Sequence, residues 1–344
     1  MKKSLYDISW QISEEEYRVD KALSYSTLAK YEREGFNNLD KLFDRVETPS
    51  LTFGSAVDSI ITGGQKEFDE RFMVAEFPSI PDSIIKIVKS LYKQYAGENR
   101  SLLNIPDNSI IRETESQGYQ MNWKPETRAK VIKEKGSEYY NLLFVAGDRC
   151  ILDTKTYQDV CNAVRALKES ESTKFYFAED NPFEPDIERL YQLKFKGEFN
   201  NIPVRCMLDE IIVNHKNKTI LPIDLKTTKS VVTFNHSFYQ WGYFIQAQLY
   251  TYILEQNIKN DDYFKDFKVL NYKFIAVDKY LLLPIVFNYE GNHSITSLID
   301  NDGKERKSWR ILLKELNYYL THPECKLPLE MWNKFKMNGE INIK

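Results

Sequence analysis

The chain is poor in the residues that most readily betray a metal centre. It has four cysteines and four histidines in 344 residues. Cys150, Cys161, Cys206 and Cys325 are each more than three positions apart, so no zinc-ribbon or iron–sulfur spacing exists. Reduced thiols, buried or half-buried, are what remains. His215, His236, His293 and His322 are equally dispersed, with no HExxH or His-x-His pair to hold zinc. No stretch approaches the ~18 consecutive apolar residues of a membrane helix. The first residues, MKKSLYDISWQISEEEY, lack an apolar core and turn acidic, which is not a signal peptide and points to a cytoplasmic protein. Internal repeats and low-complexity segments are missing too. The net charge of −3 is not that of a basic DNA-coating protein. A DNA enzyme is still allowed, because it needs only a local basic groove and its acidic metal ligands lower the total.

What is present is ample apolar material: 42% hydrophobic and 14% aromatic residues, enough for one elaborated domain or two. The first half reads as helices. Ser24 and Ser26 can cap a helix through Leu28 and Tyr31 that Gly35 ends. LTFGSAVDSIITGG follows Pro49; its small residues Gly54, Ser55 and Ala56 suit close packing, and Gly63-Gly64 stops it. Residues 82–96 place Ile84, Val88, Leu91 and Tyr95 on one helical face. The polar stretch from about 97 to 125 reads as a loop, with helices at about 126–134 and 156–169, the latter with Thr156 and Asp159 as a capping pair. From about 187 the pattern becomes strands at 188–197, 203–213 and 219–227, a long helix at 237–256, strands at 267–277 and 280–289, and a helix at 303–320. The expected architecture is α/β: a mixed sheet flanked by helices, with a helical elaboration over 1–186, a core over 187–322 and a tail over 323–344.

The segment that carries chemistry is V204-R-C-M-L-D209-E-I-I-V-N-H-K-N-K-T-I-L-P-I-D224-L-K226-T-T. With period two, Asp224 and Lys226 share one face of a strand. A hairpin turning near 215–217 brings Asp209 level with them. Two adjacent carboxylates repel unless a divalent cation lies between them, and hard oxygen ligands suit Mg²⁺, with Mn²⁺ as a substitute. The backbone carbonyl of Leu225 is a further ligand candidate. Lys226 can orient or help deprotonate a water, or stabilise charge on a phosphodiester. Asp-x-Lys is a short pattern, and Asp153-Thr154-Lys155, with Asp148 upstream, repeats it. That copy runs straight into the 156–169 helix and reads as a helix start. Tyr239, Tyr243, Gln246 and Tyr250 fall on one face of the following helix, as they would beside a polar cleft or in an aromatic core. Asp58 offers another carboxylate. Tyr239, Trp241 and Tyr243 suit base stacking or, equally, a core; the lysines at 216, 218, 226 and 229 suit phosphates or a solvated turn.

The order SYSTL (Ser24 to Leu28), FGSAVD (Phe53 to Asp58), Leu208-Asp209, DLKTT (Asp224 to Thr228) and QAQLY (Gln246 to Tyr250) resembles the exonuclease VIII-like, lambda exonuclease-like branch of the PD-(D/E)XK nucleases, over about residues 20–320. The resemblance implies a restriction-endonuclease-like core in which Asp209 and Asp224 ligate metal and Lys226 is catalytic. Gln246, Tyr250, Tyr243 and Thr227 would border the DNA. Asp58, on a helix at about 52–62, stands where the family often has histidine and would be a further ligand. Many relatives add a glutamate in the preceding strand; Gln192 and Glu198 are the candidates here, with nothing to choose between them. The resemblance further implies a 5′→3′ exonuclease on linear duplex ends that leaves 3′ single strands for a phage-type annealing protein, a ring-shaped homo-oligomer, and no iron–sulfur cluster. The competing readings are an endonuclease of the same fold and a non-catalytic DNA-binding or assembly subunit.

Overall fold

The computed structural model describes residues 2–44, 48–77, 79–179, 183–291 and 297–338; His293 lies outside them. Among these residues the helices are α1 (Glu14–Val19), α2 (Tyr25–Glu34), α3 (Pro49–Arg71), α4 (Asp82–Tyr95), α5 (Asp107–Ser116), α6 (Pro125–Ala146), α7 (Thr154–Glu169), α8 (Phe234–Gln240), α9 (Tyr243–Lys259), α10 (Trp309–Thr321) and α11 (Leu329–Asn338). The strands are β1 (Phe72–Ala75), β2 (Cys150–Asp153), β3 (Ile187–Phe199), β4 (Ile202–Asn214), β5 (Thr219–Thr228), β6 (Lys268–Val269), β7 (Lys273–Asp278), β8 (Ile285–Asn288), β9 (Ser297–Ile299) and β10 (Glu305–Lys307). No helix among the described residues is long and apolar enough to cross a membrane. The chain divides into two compact units: Ser55–Asn162, and Met1–Gly54 together with Ala163–Lys344.

The unit Ser55–Asn162 is a helical cluster on a two-stranded parallel ribbon, β1 with β2. Ile84, Val88, Leu91, Ile110, Ile132, Tyr140 and Leu143 form its core. Gly136 lets α6 approach α4: a Cβ there would meet Val88 at 2.5 Å. The loop expected over 97–125 contains α5, and the helix expected at 126–134 runs on to Ala146. α5 escaped detection because it buries little besides Ser109, Ile110 and Thr114, too few apolar residues to show a period. α3 does not end at Gly63-Gly64; it kinks there, with Gly64 at φ 70°, and continues to Arg71.

The larger unit is built on a mixed sheet of order β3-β4-β5-β7-β8, with β6 pairing β5. β3, β4 and β5 are antiparallel neighbours, while β5 and β7 are parallel. The β3–β4 hairpin turns through Asn200 and Asn201, both left-handed (φ 52° and 62°), the conformation that suits the twist of antiparallel strands. The β4–β5 hairpin turns through 215–218, where the Asn217 N–H donates to Asn214 Oδ1 at 2.9 Å. One sheet face packs with α9, α2 and α10 in a core that includes Phe195, Cys206, Phe244, Ile253, Trp309 and Leu313. The single helix expected over 237–256 is two, α8 and α9, broken at Gly242, whose φ of 67° no α-helix accepts. Tyr239 therefore belongs to α8 and is not on the helix face of Tyr243, Gln246 and Tyr250. The strand expected over 267–277 is split into β6 and β7, and the last expected helix starts at Trp309, after β10.

Candidate active site

The β4–β5 ladder ends at the pair Glu210–Ile223, so Asp209 and Asp224 are the first residues beyond it. At this point β4 changes phase. Val204, Cys206 and Leu208 face the core at even positions, but Ile211 and Val213 do so at odd ones. The matching irregularity on β3 is Gln192, held at φ 53° between the pairs Tyr191–Glu210 and Leu193–Leu208. The register is the same on both sides, so this is no β-bulge: neither strand carries an extra residue, and the ladder is interrupted by one unpaired residue on each strand. Those two residues are Asp209 on β4 and Gln192, across from it on β3. Glu198, the other candidate, is paired with Pro203 at the far end of the hairpin.

Asp209 is half-buried, and its Oδ2 accepts the Leu225 N–H at 3.1 Å. A strand residue sends its N–H and C=O to the same side. The Leu225 carbonyl therefore also faces β4, past the last ladder pair. Asp224 is 1% exposed. Its Oδ1 accepts from Gln246 Nε2, and its Oδ2 forms a salt bridge with Lys226 Nζ. Lys226 keeps 17% of its side chain exposed and lies 4.8 Å from the centre of the Tyr243 ring. Burial works against its ammonium, but Asp224, with Tyr243, Asp209 and Tyr25 behind it, outweighs that and holds the lysine well above its ordinary pKa. The neighbouring Glu210 is buried, and burial pushes its carboxyl far up despite the opposing charge of Arg189.

The structure thus brings Asp209, Asp224, Lys226, Leu225, Gln246 and Tyr243 together. Tyr250 is buried, with burial foremost and the two aspartates among the further causes that raise its phenol. Thr227 points away from Lys226 by strand alternation and lies against the start of α3: a Cβ on Gly54 would be 2.8 Å from its Oγ1. Asp58 is half-buried on α3, within the unit Ser55–Asn162.

Two aromatic residues near the carboxylates were not singled out by the sequence. Tyr25 packs edge-on to Tyr250 at 6.3 Å and donates from its hydroxyl to the Trp241 carbonyl at 2.9 Å. It lies inside the SYSTL motif, so a signal existed. Tyr272 is 2% exposed, and Asp224 and Asp209 add to burial in raising its phenol. It follows a two-residue strand and carries no pattern.

No cluster of three or more His, Cys, Asp or Glu side chains that could cage a metal occurs among the described residues. The donor set is instead two carboxylates and a carbonyl. The buried Gln246 Oε1 beside them accepts no hydrogen bond. That fits Mg²⁺, which takes one or two carboxylates and leaves its other positions to water and phosphate. The set lacks the histidine or cysteine ligands that zinc sites characteristically include.

Fold and site together define a mixed α/β unit with a carboxylate–lysine cluster on a hairpin. No family model and no curated protein matches the chain. Among solved structures it is similar to a "Putative exonuclease" from Eubacterium rectale, at 13% identity and a TM-score of 0.48, over 97% of this chain and 96% of that one.

Proposed function

We propose that this protein is a Mg²⁺-dependent nuclease of the PD-(D/E)XK type that hydrolyses DNA phosphodiester bonds. The observation that carries the reading is the meeting of Asp209, Asp224 and Lys226 where the β4–β5 ladder ends. Asp209, Asp224 and the Leu225 carbonyl would hold the ion. Bound there, it would lower the pKa of a water and offset charge on the phosphodiester.

The chain's own groups do the rest. Gln246 fixes one oxygen of Asp224, so the carboxylate cannot rotate away. Lys226 is charged and held between Asp224 and the Tyr243 face. It is therefore placed to stabilise the extra negative charge of the pentacovalent transition state. The partial exposure of Lys226 and Asp209 leaves the cluster open to a phosphate on one side. The 5′→3′ direction and linear duplex ends are what the sequence resemblance implies.

Labelled linear and circular duplexes incubated with Mg²⁺ test this. Loss of the linear substrate alone, abolished by chelation and by Asp224→Asn or Lys226→Ala in a folded variant, is the expected result. Nicking of circles would make the enzyme an endonuclease. Binding without cutting, or unchanged rates in the variants, would reject the reading.

A further inference from the structure

The hydroxyl of Tyr272 has no task in the chemistry set out above. Tyr272 is 2% exposed, and its Oη has no hydrogen-bond partner among the described residues. Burying a hydroxyl unmet costs stability, and a phenylalanine would fill the same space without that cost. Packing alone therefore does not account for a tyrosine here. A buried polar atom left unmet in this way is a common mark of a group that acts on a ligand.

Register sets where that hydroxyl lies. β5 and β7 run parallel, with Asp224 opposite Phe274. Side chains alternate along β7, and Tyr272, Phe274 and Ala276 all face the core that includes α9. Asp224 faces the same way, because it meets Gln246 of α9. Tyr272 is thus the diagonal neighbour of Asp224 on one face, roughly 8 Å away between backbones and within reach of an aromatic side chain. The Tyr289 N–H donates to the Tyr272 carbonyl at 2.8 Å, and the Phe274 ring centre lies 5.1 Å from that of Tyr272, so backbone and ring are both braced. Burial first, then Asp224 and Asp209, push the phenol far above its ordinary value, which keeps it a donor. A matching acceptor belongs to Asp224. Its buried Oδ2 is paired in charge with Lys226 but has no hydrogen-bond partner among the described residues. A carboxylate oxygen has two lone pairs, so it can hold an ion and a donor at once.

We propose that Tyr272 is a positioning residue of the carboxylate pair: its hydroxyl donates to Asp224 when a divalent cation is bound there. The inference rests on the metal-dependent nuclease reading, but its test needs no cleavage. Mg²⁺ is titrated into the full chain without DNA, and the melting temperature is followed. Mn²⁺, counted free by its electron paramagnetic resonance signal, gives an affinity directly. Tyr272→Phe is compared with Tyr140→Phe, which removes another buried, unpartnered hydroxyl, in the core of the unit Ser55–Asn162. Without metal, both variants are expected to melt at or above the wild-type temperature, because each sheds an unmet polar group. With metal, Tyr272→Phe should bind about tenfold more weakly, as when a group that orients a metal ligand is lost. Tyr140→Phe should match wild type.

Wild-type metal affinity in Tyr272→Phe overturns the role of Tyr272 and leaves the nuclease reading intact. So does an equal loss of affinity in both variants. A Tyr272→Phe chain that melts well below wild type without metal overturns it too, since the hydroxyl would then serve the fold itself. A wild-type chain that binds neither ion, and that Asp224→Asn leaves unchanged, removes the metal site and this inference together.

Discussion

Of the four Asp-x-Lys triplets in the chain, which include Asp266-Phe267-Lys268 and Asp302-Gly303-Lys304, the two that lie at strand ends or within strands beside other acids come to opposite ends. At Asp224-Leu225-Lys226 the backbone stays extended through all three residues, so the acid and the amine share a face and meet. At Asp153-Thr154-Lys155 the strand ends on the aspartate and α7 starts at the next residue. The Asp153 carboxylate is consumed as a helix cap, accepting the Thr156 N–H at 2.8 Å and its hydroxyl at 2.7 Å. This replaces the Thr156–Asp159 capping pair expected from the sequence. A three-residue spacing thus acquires chemistry only from the secondary structure that carries it and from a second acid supplied by a neighbouring strand.

That contrast can be broken or sharpened by substitution. The largest effect should come from activity: Asp224→Asn and Lys226→Ala should each lower the cleavage rate on the order of a hundredfold or more, whereas Asp153→Asn and Lys155→Ala should stay within about twofold on the same labelled duplex. Equal losses at both copies would erase the distinction. Next is packing. Gly54→Ala sets a Cβ 2.8 Å from Thr227 Oγ1, beside the strand copy. Overpacking costs about 1–3 kcal/mol and better helix propensity returns about 1, so a net loss of roughly 1 kcal/mol is expected in urea denaturation. The same substitution in a Thr227→Ala background should lose that penalty.

The cap copy answers to stability instead. Asp153→Ala should cost about 1 kcal/mol, and Asp153→Ser far less, because serine can still cap. The smallest effect is its pH dependence. Burial raises the Asp153 carboxyl, but hydrogen bonds from the Thr156 side chain and backbone outweigh it and hold it below its ordinary value. The folded pKa lies under the unfolded one, so the contribution is complete above about pH 4 and is lost as pH falls through the folded value. The stability gap between wild type and Asp153→Asn should therefore close on acidification, and a gap that widens would contradict the cap.

How much of this could be read beforehand follows from the range of each signal. The β4–β5 hairpin was legible because alternation and a polar turn are local, and so was the Asp224–Lys226 pairing. Gln192 was named as a candidate, but its left-handed backbone, and the phase change of β4 across from it, arise from pairing between strands and leave no mark in either strand alone. The break at Gly242 was overlooked because the apolar pattern runs across it on both sides. Tyr272 reaches the carboxylates only through the parallel pairing of β7 with β5, which no spacing in the chain encodes.

Because the acids lie immediately past the last rung shared by β4 and β5, the four residues of the intervening turn, 215–218, act as a ruler. A slip of one position would rotate Asp224 and Lys226 to the other side of the sheet while leaving nearly all of the surrounding apolar packing chemically acceptable. One residue added to that surface loop, far from the carboxylates, should therefore abolish the proposed cleavage more thoroughly than many substitutions beside them. Loop length here is a functional dimension in its own right.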